Sequence, residues 1–117
     1  MRLSLLILAL LLTACGFERS QVATAGNPAA GARELSRLGC GSCHTIPGIA
    51  GAHGKVGPSL EGVASRSYIA GQLPNQPANL EHWIQHPHAV HPETVMPELG
   101  MTEAESRDIA AYLYTLN

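Results

Sequence analysis

The chain has 117 residues, 45% of them hydrophobic and only 4% aromatic, with a formal net charge of −2. This is one small domain at most, and with so few large side chains its core needs a staple or a cofactor to fill it. One Lys and scattered Arg make no basic stripe, and there is no Gly-rich phosphate loop and no internal repeat, which argues against nucleic acid as a partner.

Met1-Arg2 precedes an almost wholly apolar run, Leu3 to Leu12. A basic start followed by an apolar stretch too short to span a bilayer is the pattern of a secretory signal. Leu12-Thr13-Ala14-Cys15 has the form of a bacterial lipobox, so residues 1–14 are expected to be a lipoprotein signal peptide and Cys15 the lipidated first residue of the mature chain. The competing reading is an ordinary signal cut near Ala14 that leaves Cys15 a stray thiol. Residues 15–27 are small and polar without apolar periodicity, which predicts a flexible tether between membrane and domain.

Asn27-Pro28 supplies a cap and a first-turn proline for a helix running to about Leu38, with Ala32, Leu35 and Leu38 along one stripe. Next comes Cys40-Gly41-Ser42-Cys43-His44. A C-x-x-C-H run reads as a covalent haem attachment site: the two thiols add across the porphyrin vinyl groups, and the adjacent imidazole becomes the proximal iron ligand. A zinc-binding or redox dithiol followed by a chance histidine competes with it.

Thr45 to Pro58 should be a loop rich in Gly and Pro, followed by a helical turn through Val63 and an irregular stretch from Ser65 to Pro77. Asn79 can cap a helix from Leu80 to His86 whose inward face is Leu80, Trp83 and Ile84, and Pro87 stops it. Pro87 to Met101 is expected to be a proline-bounded loop. Thr102-Glu103-Ala104-Glu105 forms a capping box for a last helix carrying Ile109, Leu113 and Leu116. Nothing alternates with period two over a useful length, so the expected class is all-α.

An iron bound by His44 needs a second ligand. Met96, at the end of a rigid loop, offers a soft thioether that favours the ferrous state. Met101 is the nearest rival but lies beside the helix cap. His86, His88 and His91 are interrupted by prolines and read as solvated loop histidines, as does His53; a bis-His haem using one of them is the competing ligation.

In combination these residues resemble the class I c-type cytochromes, especially the small bacterial domains that serve haem-copper oxidases. The resemblance runs over Pro28 to Leu116 and rests on Cys40–His44, Gly57-Pro58-Ser59-Leu60, Arg66, Leu80–Pro87 with Trp83, Pro92–Pro97 with Met96, and a closing helix ending Tyr112-Leu113. It implies three to five short helices around one covalent haem c, with the first and last helices crossing where Gly31 and Leu35 meet the neighbourhood of Tyr112. It implies that Pro58 offers its carbonyl to the outer nitrogen of His44, that Arg66 holds a propionate with Thr94 as a further donor, and that Trp83 packs beside Met96. Glu93 stands where the family often has glycine, and the near absence of lysine departs from the lysine-ringed members.

The expected function is that of a lipid-anchored monohaem cytochrome c on the periplasmic side of a bacterial membrane. Residues 28–117 would carry single electrons between respiratory redox proteins without acting as an enzyme. The alternatives are a fixed electron-transfer subunit of a dehydrogenase or oxidase, and an open-iron peroxidase or sensor.

Overall fold

The computed structural model describes residues 22–117. The expected signal peptide, the expected lipidation site Cys15 and the first part of the expected tether lie outside the described residues. Asn27, expected at the end of the tether, is already docked: its N–H donates to Asp108 Oδ1 at 2.7 Å. Its own side-chain oxygen accepts from the Ala30 N–H at 3.0 Å and so caps α1, Pro28–Arg37. Pro28, at the first position, has no N–H to leave unpaired.

After the Cys40–Ser42 3₁₀ turn and the loop that follows, a second 3₁₀ turn spans Val63–Ser65. Tyr68–Ile69 (β1) then pairs antiparallel with Leu73–Pro74 (β2), in the register Tyr68 opposite Pro74 and Ile69 opposite Leu73. The stretch expected to be irregular thus contains a minimal hairpin, turned through Ala70 and Gly71. The helix expected from Leu80 starts earlier: α2 is Pro77–Gln85, with Gln76 in the cap position making no side-chain bond. Asn79 lies inside α2, and its Nδ2 donates to the Pro74 carbonyl at 2.9 Å rather than capping. Pro87 both ends α2 and begins α3, Pro87–Val90, inside what was expected to be a loop.

The last helix, α4, is Glu103–Leu113, one turn shorter than the periodicity to Leu116 implied. Its capping box is complete: the Glu105 N–H donates to Thr102 Oγ1 at 3.2 Å and the Thr102 N–H donates to Glu105 Oε2 at 2.7 Å. These bonds from Thr102, with Arg37 adding, hold the Glu105 carboxyl below the usual carboxylate range.

The core forms where α1 and α2 both pack against α4, around Leu35, Leu80, Ile84, Ile109, Ala110 and Leu113. A Cβ on Gly31 would overlap the backbone carbonyl of Asp108, so this position carries no side chain and the α1 and α4 backbones touch there. The crossing therefore lies at Asp108 and Ile109, one turn before the Tyr112 position the resemblance implied. Tyr112 instead donates its hydroxyl to the Pro47 carbonyl at 2.6 Å and ties α4 to the loop after His44.

Candidate functional site

The arrangement around Cys40 follows from one tight turn. The Cys43 and His44 N–H groups both donate to the Cys40 carbonyl, at 3.2 and 3.1 Å, which folds the segment back on itself. Cys40, Cys43 and His44 all line one wall of a cavity of about 510 Å3. That volume lies in the range of about 300–1,000 Å3 usual for small-molecule and cofactor sites. Both cysteines are free and half-buried. Burial pushes the Cys40 thiol up, the neighbouring Cys43 adds to this, and a hydrogen bond at its own backbone opposes it. Catalytic dithiols show the opposite shift, toward thiolate. Among the described residues no group of three or more His, Cys, Asp or Glu is placed to hold a metal ion.

His44 Nδ1 lies 2.7 Å from the Pro58 carbonyl oxygen. A carbonyl can only accept, so this bond assigns the ring proton to Nδ1 and leaves Nε2 with its lone pair free. Gly57 makes the fit possible, since a Cβ there would overlap the His44 ring; its N–H donates to the Cys43 carbonyl at 2.8 Å.

Met96, Trp83, Thr94 and Arg66 line the same cavity. The Met96 N–H donates to Thr94 Oγ1 at 3.2 Å, which fixes the backbone from which the thioether projects. The Arg66 guanidinium donates to the carbonyls of Ser59 and, at 3.2 Å, Glu61, so it is engaged with the chain next to Pro58. Leu35, Leu60, Val63, Leu80, Ile109 and Leu113 supply apolar surface. An apolar cavity with two thiols and an imidazole on one wall and a thioether in its lining fits a haem held through its vinyl groups, with nitrogen and sulfur as iron ligands.

Two of the rival ligands weighed from the sequence, His91 and Met101, line this cavity as well. Tyr68, Ala70 and Gly71 of the hairpin also line it, and the sequence did not single these out. Ala70 and Gly71 make the turn at φ 52° and 73°, and an alanine at positive φ is a conformation its sequence does not announce. His88 does not approach the cavity lining; its Nδ1 is 3.8 Å from Glu98 Oε1.

The family described as Cytochrome c matches residues 28–117. Over 78 residues the chain is 36% identical to a protein named cytochrome c oxidase subunit 2 from Alkalihalophilus pseudofirmus. That match covers 66% of this chain and 22% of the relative, so the chain spans less than a quarter of the relative's length. With a family match over the whole helical domain and a cavity suited to the group, the chain belongs to the class I c-type cytochromes, all-α haem proteins that carry electrons.

Proposed function

We propose that the chain is a one-electron carrier and not an enzyme. In this reading Cys40 and Cys43 would hold a single haem c through thioether links, and His44 and Met96 would be the residues that bind its iron. The observation that carries the reading is the hydrogen bond from His44 Nδ1 to the Pro58 carbonyl, because it orients the ring and frees Nε2 for iron. When bound, haem supplies an iron that takes up and gives back one electron.

The apolar wall keeps water from the group, and the sulfur of Met96 favours the ferrous form. Arg66 and Thr94, in the cavity lining, would be the donors for propionates, Arg66 through the guanidinium N–H groups not already given to Ser59 and Glu61, and Trp83 would pack against the porphyrin. The test is optical. The reduced protein should keep its spectrum under carbon monoxide; a shift would show an open iron and favour a peroxidase or sensor.

The partners in this reading are respiratory redox proteins. Val56 and Val95, 70% and 81% exposed, border the cavity, and the chain has a single lysine, Lys55. This rim suits a small, weak contact with little long-range steering. A lipid on Cys15 would hold the domain on the periplasmic side of a bacterial membrane and raise its effective concentration near those partners. A second reading, a fixed subunit of an oxidase or dehydrogenase, is favoured by the likeness to one part of an oxidase subunit. Co-purification from solubilised membranes in stoichiometric amount with a larger complex would support the subunit; recovery alone would support the free carrier.

A further inference from the structure

Asn75 is half-buried in the turn between β2 and α2, and its side chain makes three hydrogen bonds across the fold. Its Nδ2 donates to the carbonyls of Val63 at 2.9 Å and Arg66 at 2.8 Å, and its Oδ1 accepts from the hydroxyl of Tyr114, just past α4, at 2.8 Å. Its own N–H donates to the Ser67 carbonyl at 3.0 Å. One amide thus clasps the end of the last helix to the segment that carries Arg66. Tyr114 is a buried residue, and Asn75 Oδ1 is the partner its hydroxyl finds within the fold.

Arg66 passes the restraint on. Its guanidinium donates to the Ser59 and Glu61 carbonyls, while the Leu60 N–H donates to the Thr45 carbonyl at 2.9 Å. Residues 59–61 are therefore held from both sides, and Pro58 directly before them is the acceptor for His44. Pro58 and Ser59 are themselves exposed, so packing alone does not fix that carbonyl.

We propose that Asn75 is a positioning residue for His44. Through Arg66 it fixes the segment whose Pro58 carbonyl takes the His44 Nδ1 proton, and so governs the strength of that hydrogen bond. The inference rests on the reading of His44 as an iron ligand.

The experiment uses the matured, haem-loaded protein and follows solvent exchange of the His44 Nδ1 proton by NMR, with thermal unfolding measured on the same samples. Asn75→Ala should speed that exchange roughly tenfold, the factor expected when a hydrogen bond of ordinary strength is loosened. Arg66→Lys, which keeps the charge but loses the fork of donors, should do the same. Tyr114→Phe leaves both Nδ2 bonds in place and should have a smaller effect. If Asn75→Ala does not fold, Asn75→Asp, which keeps the acceptor for Tyr114 and loses the two donors, takes its place. Variants that melt earlier with unchanged His44 exchange would overturn the inference and leave Asn75 purely structural. A wild-type protein whose His44 lacks the shifts of an iron-bound ring would overturn the proposed function, and this inference with it.

Discussion

His44 is held from three directions: by the Cys40 turn behind it, by Gly57 against its ring and by the Pro58 carbonyl at Nδ1. Gly57→Ala puts a methyl group where the His44 ring lies, and that ring, held by its bond to the Pro58 carbonyl, cannot swing away cheaply. Overpacking of this kind costs about 1–3 kcal/mol. The variant should show a lower midpoint of thermal unfolding and a reduced yield of haem-loaded protein against wild type.

Tyr114 gives a pH signature at the same scale. Burial, with Glu81 adding, pushes its phenol up to about 12 from its ordinary value of 10.0. The folded state therefore favours the protonated hydroxyl that Asn75 accepts from. The stability this contributes is fully present below pH 10 and is lost as pH rises toward about 12. Denaturant unfolding across that window should show a decline in wild type that Tyr114→Phe flattens; equal slopes would contradict the assignment.

At the scale of elements, the contact of α1 with α4 is where two effects oppose each other. Gly31→Ala gains about 1 kcal/mol of helix propensity. The new Cβ meets the Asp108 carbonyl, which is backbone, so the helices must part along the face that buries Leu35 and Ile109. The packing loss, about 1–3 kcal/mol or more, should win. Calorimetry should show a lower unfolding temperature for Gly31→Ala, whereas an increase would mean that the crossing is looser than described.

What could be read in advance at this scale was local. Asn27-Pro28 and the Thr102–Glu105 box announce their helices because the capping atoms sit within one turn of the backbone they satisfy. The hairpin and α3 were not legible, because distant partners hold them: Gln72 Nε2, in the turn, donates to the Val90 carbonyl at 2.7 Å at the end of α3. Pro87 reads in the sequence as a stop, although a proline serves equally well as the first residue of the next helix. The crossing lies one turn before Tyr112, whose task is a different one, its bond to Pro47.

At the scale of the molecule, the cavity gathers residues from Leu35 to Leu113, so its volume and closure depend on tertiary contacts that no window of sequence contains. That Cys40, Cys43, His44 and Met96 belong to one site was legible all the same, because the two thiols and the imidazole share one turn and Met96 sits in a proline-bounded loop. The clasp of Asn75 was not legible: its partners Val63, Arg66 and Tyr114 are scattered, and an Asn in the short turn between β2 and α2 carries no signal of its own.

The character of the rim also belongs to this scale. With Val56 and Val95 exposed and a single lysine, electron exchange with a redox partner should vary by no more than roughly threefold between low and physiological salt, where a charge-steered pair falls steeply. Stopped-flow measurement at several ionic strengths checks this.

The most direct test of the account is the intact mass of the protein matured in a host that attaches haem, measured after full denaturation. The account predicts the polypeptide plus the mass of one haem, retained on the peptide that contains Cys40 and Cys43. Recovery of the bare polypeptide mass, with haem released on unfolding or never taken up, would contradict it.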